Sequence, residues 1–362
     1  MKMIVRMIRY VFIGLKYLVN QVLTSKKVLA ILVLALFIAL MDVSSDFDRE
    51  LGKQDVQMAN EEQRPDITYY QESEKFAIDD GTGINDLIKC YQGSINIDEA
   101  SSDIQDYIKK LDSLYKKSNN YFSFLYQDLY SGFTVSYNED APIFTASTIK
   151  APAMIYLYES ASRGEVNLDE ALTYTSKHYS GGTGVLQQKS INTRYSIEEL
   201  IGYTIHDSDN IAYRMLMDRF SRESMYAFWN SKGTKYIFSN NSIWGFTSAK
   251  DASIYMKELY KFYNDNKEYG TRLMEHFKNA SWKLVTDKNG NFNTANKGGW
   301  SGTAIHDVAI VFDRNPYILV IMSNLGEDNY NYLFQNTNKL VGSLHEAYWK
   351  YKEQVCNDIK QY

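Results

Sequence analysis

Ser147 and Lys150 stand three positions apart in the stretch FTASTIKAPAMIYLY. A short extended run, IFTA, leads into them, and Ala151, Met154, Ile155, Tyr158 and Ala161 follow at helical spacing. Residues i and i+3 of a helix share a face, with about 5–6 Å between Cβ atoms, so the lysine amine can reach the serine hydroxyl. A buried lysine loses its charge, and the neutral amine can take the serine proton and turn the hydroxyl into a nucleophile for an acyl carbon. The strand-to-helix junction adds free backbone N–H groups suited to a developing oxyanion. The spacing alone is weak. Ser113 and Lys116 repeat it on the polar side of another helical segment, where no chemistry is expected.

Two further signals follow along the chain. Ser208-Asp209-Asn210 breaks two helical patterns, 196–205 and 211–220, the first opening with a capping box at Ser196 and Glu199. Taken singly, such a break is a helix cap. Lys297-Gly298-Gly299-Trp300 precedes the last strands, and by itself reads as a glycine-softened strand with a solvated lysine. His178, His206, His276, His306 and His345 show no ligand spacing, so neither a metal nor a cofactor is expected. His306-Asp307 opens an apolar strand and reads as structural. The glycine-rich SGGTGVLQ, residues 180–187, lacks the lysine and helix of a phosphate loop.

The elements that must carry these residues are legible in outline. A helix is expected over 98–117 from Ile104, Tyr107, Ile108, Leu111 and Tyr115. Strand pairs are expected at 121–129 with 133–140 and at 306–313 with 317–324, then a helix over 329–354. β-rich ends around a helical middle predict one sheet assembled from both ends of the chain. Upstream, residues 28–41 are an unbroken apolar run, preceded by Lys2, Arg6, Arg9, Lys16, Lys26 and Lys27 and followed by Asp42, Asp46, Asp48 and Glu50. That asymmetry predicts a basic cytoplasmic segment at 1–26, a single-pass signal anchor at 27–44, a polar linker at 45–94 and an exported domain at 95–362. A cleaved signal peptide is the alternative reading of the apolar run. The 362 residues carry a formal net charge of -5, with no basic stripe for a nucleic-acid partner.

In order and context the three signals resemble the penicillin-recognising serine hydrolases, class A β-lactamases above all, whose motifs run S-x-x-K, S-D-N and K-T-G. The likeness extends through YSIEELIGYTIHDSDNIAYRMLMDRF, TSAKDASIYMKELYKF and GGWSGTAIHDVAIVFD, covering roughly residues 95–355. It implies an α/β fold, an α+β sandwich whose antiparallel five-stranded sheet carries a mostly helical subdomain. It implies Ser147 as acylated nucleophile, Lys150 as its base, Ser208 as proton relay to the leaving group and Lys297 as positive charge in the pocket. Asn210, Tyr179, Gly299, Trp300 and Ser301 would meet the substrate, the N–H groups of Ser147 and Trp300 would form the oxyanion hole, and Asp209 would be structural.

Two departures qualify the likeness. Class A enzymes deacylate with a glutamate in an E-x-x-L-N pattern, and between Asn210 and Thr247 the only glutamate is Glu223, outside any such pattern. Gly298 stands where the family has a threonine or serine that binds a substrate carboxylate, unless Ser301 or Thr303 replaces it. Efficient β-lactam turnover is therefore not expected. In the resembled fold the first and last helices lie side by side, which suggests a disulfide between Cys90 and Cys356. The expected function is an extracytoplasmic serine acyl-hydrolase acting on a cell-wall-related amide or ester. The alternative is a catalytically silent binding or scaffolding protein of the same fold.

Overall fold

The computed structural model describes residues 66–359, apart from 73–75, 77–89, 91, 98–99, 118–121, 241, 303 and 325–329. The expected basic segment 1–26 and signal anchor 27–44 lie outside the described residues. Among the described residues no helix is long and apolar enough to cross a membrane.

The chain runs β1 (Thr68–Gln71), α1 (Ser102–Lys116), β2 (Phe122–Asp128), β3 (Phe133–Tyr137), β4 (Ile143–Phe144) and α2 (Lys150–Ser162). Next come β5 (Ala171–Thr173), β6 (Arg194–Ser196), α3 (Ile197–His206), α4 (Asn210–Arg219), α5 (Arg222–Ser231) and β7 (Phe246–Thr247). It closes with α6 (Ala249–Asp265), α7 (Lys267–Lys278), β8 (Thr294–Ser301), β9 (Ala304–Val311), β10 (Tyr317–Ser323) and α8 (Tyr330–Ile359). The main sheet has the order β1-β3-β2-β10-β9-β8, antiparallel throughout. The two chain ends thus meet where β2 pairs with β10, from Tyr317 opposite Asp128 to Ser323 opposite Phe122.

Side chains alternate between two cores. Leu125, Val308, Ile310, Ile318, Val320 and Met322 face the helical middle, packed with Met154, Ile155, Met256 and Leu259. Phe124, Tyr126, Ala309, Leu319 and Ile321 face α1 and α8, packed with Ile104, Leu111, Tyr115, Leu344 and Tyr348. Burial on both faces is why these strands read as unbroken apolar runs rather than as alternating ones.

The sheet has six strands where the sequence led us to expect five. The additional one is β1, inside the segment expected to be linker, with Thr68 opposite Ser136 and Gln71 opposite Phe133. Its four residues, TYYQ, are exposed or half-buried at a sheet edge, so they carry no apolar period. Long-range bonds hold them instead: Tyr70 Oη donates to Glu139 at 2.8 Å and Gln71 Nε2 to the Ser131 carbonyl at 2.5 Å.

Cys90 and Cys356 are joined as a disulfide with Cα atoms 5.8 Å apart, enclosing 266 residues of sequence separation. Lys352 Nζ, one turn before Cys356, donates to the Cys90 carbonyl at 3.1 Å. A loop of that size restricts the unfolded chain, so its opening should cost about 2–5 kcal/mol of stability. Replacing both cysteines by serine should lower the thermal midpoint of the full chain. An unchanged midpoint with and without reductant would show that the bridge does not contribute.

Candidate active site

The lead-in to Ser147 is a strained turn. β4 pairs with β7 through Ile143–Thr247 and Phe144–Phe246, and Ala146 then takes φ +43° before a short 3-10 turn, Ala146–Ile149, runs into α2. A left-handed alanine costs about 1–2 kcal/mol, so its neighbours must hold it. Thr145 N–H donates to the Gly245 carbonyl at 2.9 Å, while Thr148 returns both its N–H (3.1 Å) and its hydroxyl (2.6 Å) to the Thr145 carbonyl. His306 Nε2 donates to the Phe144 carbonyl at 2.8 Å, because its Nδ1 already accepts from Ser323 N–H at 3.1 Å. Burial pushes this histidine down to about 4, which keeps it neutral and bonded both ways. The turn leaves Ser147 half-buried at the cleft and sends Lys150 into the interior.

Lys150 is completely buried, and its Nζ lies 3.2 Å from Ser147 Oγ. It also lies 2.5 Å from the Ser208 carbonyl, 2.7 Å from Asn210 Oδ1 and 3.2 Å from Ser208 Oγ. Asn210 Nδ2 donates to the Gly181 carbonyl at 2.8 Å, which turns Oδ1 toward the lysine. The carbonyl and the amide oxygen can only accept, so a neutral amine uses its two N–H bonds there and keeps its lone pair for a hydroxyl. Burial drives the Lys150 pKa well below the ordinary lysine value, nearby Lys297 pushes it further, and Asp209 pulls weakly the other way. The Tyr213 and Trp244 rings lie 5.8 and 5.3 Å from Nζ.

Ser208-Asp209-Asn210 forms the break between α3 and α4, with Ser208 at φ +52°. Asp209 caps α4 through Oδ1, accepting from Ile211 N–H (2.8 Å) and Ala212 N–H (2.9 Å), while Oδ2 accepts from Leu186 N–H at 2.7 Å. The glycine-rich loop is explained by this contact. A Cβ on Gly184 would fall 2.3 Å from the Asp209 carboxylate, and one on Gly182 would fall 2.7 Å from Asn210 Nδ2. Thr183 Oγ1 further donates to the Ser208 carbonyl at 2.7 Å. Tyr179, at the foot of the loop, is exposed, and the loop is tied to the Ser208–Asn210 break rather than to Ser147.

Lys297 supplies the third side. It is buried on β8, and its Nζ donates to Ser208 Oγ at 2.9 Å and to the Gly298 carbonyl at 3.0 Å. Burial lowers its pKa to about 7, against the opposing pull of Asp307. The Ser208 hydroxyl therefore bridges two lysine amines. The repeated spacing at Ser113 and Lys116 gives nothing comparable: Lys116 pairs with Asp112 at 3.0 Å and with Asp66, and Ser113 is exposed.

Strand parity fixes where Trp300 aims its backbone. Phe312 N–H bonds to the Asn293 carbonyl and Ser301 stands opposite Ala304, so odd-numbered residues of β8 exchange hydrogen bonds with β9. Gly298 and Trp300 therefore turn their N–H and C=O groups outward from the sheet edge. Gly299 lets that edge close on the turn, since a Cβ there would lie 3.0 Å from Thr145 O and Thr148 N. Ser301 is exposed at the end of β8 and Thr303 lies outside the described residues.

Sequence reading missed Trp244 near the lysine, the clamp of His306 on Phe144, and Trp282, whose ring carbons lie 1.9 and 2.1 Å from where a Gly298 Cβ would sit. None of the three has a local pattern, because each acts on residues distant in sequence. Among the described residues no group of three or more His, Cys, Asp or Glu side chains could hold a metal ion.

A sequence profile of the beta-lactamase enzyme family matches residues 103–349, and the chain belongs to that family. No curated protein matches it. Among solved structures it is similar to PBP-A, at 20% identity and a TM-score of 0.61 over 68% of this chain and 96% of that one. It is also similar to a PBP-A variant solved as its acyl-enzyme with penicillin G, at 19% identity and a TM-score of 0.60 over 70% and 99%. A beta-lactamase from Sphaerobacter thermophilus aligns at 17% identity with a TM-score of 0.56, over 69% and 97%. These likenesses establish a class A β-lactamase-like fold.

If the neutral Lys150 amine activates Ser147, labelling of Ser147 by a fluorophosphonate should rise with pH and level off well below the ordinary lysine value of about 10.4. Lys297→Ala removes a neighbouring positive charge that lowers the Lys150 pKa, so the midpoint should move to higher pH. A pH-independent rate, or a midpoint displaced downward, would remove Lys150 from the base role.

Proposed function

We propose that the chain is a serine acyl-hydrolase that works through a Ser147 acyl-enzyme, on a cell-wall-related amide or ester, with little or no turnover of β-lactams. The observation that carries this reading is the 3.2 Å approach of a fully buried lysine amine, held below its ordinary pKa, to the Ser147 hydroxyl. Lys150 takes the proton as Ser147 Oγ bonds to the acyl carbon. The carbonyl oxygen, now negative, is stabilised by the N–H groups of Ser147 and Trp300. As the carbon–heteroatom bond breaks, the Ser208 hydroxyl gives its proton to the departing amine or alcohol, and is resupplied from the amines it touches. Asn210 then holds both Lys150 and the substrate's amide side. Water completes the cycle by attacking the ester of Ser147.

Hydrolysis of that ester is the slow half. Glu223 is exposed on α5 and bonded to Ser221 Oγ at 3.0 Å, remote in role from the family's deacylating glutamate. A penicilloyl adduct would therefore persist, as an acyl-enzyme of the kind solved for the PBP-A variant. The same feature supports the alternative, a binding protein that keeps the fold without turnover. The proposal extends to location: the segment 27–44, with its apolar run at 28–41, would anchor the chain, with the domain outside the cytoplasm facing the wall. The Cys90–Cys356 disulfide is consistent with that oxidising side.

Intact-protein mass spectrometry after parallel exposure to fluorophosphonate, penicillin and a D-alanyl ester tests the reading. An adduct should form on Ser147 with at least one of them, and Ser147→Ala should abolish it. Lys150→Ala should slow its formation by about 10²–10⁴-fold. Equal labelling of the Ser147→Ala protein would refute the proposal. Complementation in cells by Ser147→Ala would favour the scaffold, which has no need of the hydroxyl.

A further inference from the structure

The segment that follows α7 is fastened at both ends around Trp282. Ser281 gives its N–H (3.0 Å) and its hydroxyl (2.6 Å) to the carbonyl of His206, two residues before Ser208. On the other side Leu284 N–H (2.7 Å) and Val285 N–H (2.8 Å) both donate to Asp307 Oδ2, a buried carboxylate directly opposite Gly298 on β9. Lys283 Nζ, between them, donates to the carbonyls of Lys278 (2.6 Å) and Thr294 (2.9 Å). The backbone on both sides of Trp282 is thus pinned, and its ring lies against Gly298 with 39% of its surface still exposed. Any side chain at 298, including a hydroxyl-bearing one, would collide with that ring.

Trp300 lies two positions further along β8 on the same side of the strand and is 55% exposed. The edge beside Lys297 therefore presents two open indoles where a K-T-G motif presents a hydroxyl. Aromatic faces bind uncharged rings through their apolar surface and offer nothing to a carboxylate. The two buried amines of the site, Lys150 and Lys297, are directed at the Ser208 hydroxyl instead.

We propose that Trp282, with Trp300 beside it, is a specificity-determining platform for an uncharged ring in the group that lies along β8, in place of an anchor for a free carboxylate. This inference rests on the Ser147 acyl-enzyme only for its kinetic test.

Three thioesters with one acyl group and different leaving thiols probe it: thioglycolate, which carries a free carboxylate, benzyl mercaptan and 1-thioglucose. Acylation rates of the full chain are read by intact mass, and the ratio of ring-bearing to carboxylate-bearing donor is compared between variants. The wild type should favour at least one ring-bearing thiol by about three- to tenfold, the scale of one aromatic contact. The benzyl and glucosyl arms separate an aromatic ring from a sugar. Trp282→Ala should bring the ratio toward one, and Trp282→Phe should retain most of it. A wild-type preference for thioglycolate, or a ratio unchanged in Trp282→Ala, would overturn the proposal. A second arm uses Ser147→Ala, which cannot be acylated, and follows methyl glucoside, benzyl alcohol and glycolate by saturation-transfer NMR. Ring binding there that Trp282→Ala abolishes would support the platform even if fluorophosphonate never labels Ser147. Absence of ring binding in that arm would reject the platform independently of the acyl-enzyme.

Discussion

The site depends on taking one amine out of water without giving it a counter-ion. A buried ammonium with no carboxylate partner is costly, and the cheaper state is the neutral amine, which is also the reactive one. The nearest acid in the motifs is Asp209, whose oxygens are spent on three backbone N–H groups, so it ties down a helix and a loop instead of locking Lys150 as an ion pair. The lysine is left with acceptors for its N–H bonds, a second lysine that disfavours its charge, and a hydroxyl within reach of its lone pair. The left-handed backbone at Ala146 and Ser208 is the local strain this arrangement requires, and each is held by bonds from segments far away in the chain.

The sheet contributes by where it ends. β8 is an edge strand, and an edge leaves every second N–H and C=O without a strand partner. Here the unpaired groups lie beside the turn that carries Ser147, the candidate nucleophile. The Gly298 carbonyl takes a bond from Lys297, and the Trp300 N–H faces outward beside the Ser147 turn. His306 and Asp307, one residue apart on β9, face opposite cores and support the two borders of the cleft. His306 holds the strand that leads to Ser147, and Asp307 holds the segment that carries Trp282.

What could be read from the sequence was whatever repeats locally or recurs in a known order. The three motifs, both hairpins and the terminal helices belong to this kind, because apolar runs and helical spacing are written in neighbouring residues. The capping box at Ser196 and Glu199 is of the same kind and closes as expected, with Glu199 N–H donating to Ser196 Oγ at 3.1 Å and Ser196 N–H to Glu199 Oε2 at 2.7 Å. β1 escaped notice because four polar and aromatic residues on an exposed edge have no period to show. The glycines at 182 and 184 have a steric reason, close approach to Asn210 and Asp209 respectively, far along the chain. Such contacts depend on closure of the fold and leave no trace in a window of a dozen residues.

Gly298 illustrates how a departure from a family pattern changes meaning once its surroundings are known. In sequence it is a missing hydroxyl, and a missing hydroxyl suggests a weakened site. In the structure it is one half of a pair. Glycine at 298 leaves room for the Trp282 ring, and any larger residue there would clash with it. The two residues are therefore best understood together, as one contact rather than as a loss. The candidate catalytic groups do not share in that substitution: Ser147, Lys150, Ser208 and Lys297 keep a connected set of contacts of 2.9–3.2 Å on the other side of the strand. On the proposed reading, chemistry and recognition would use opposite faces of one edge, so that one could be rebuilt while the other is retained.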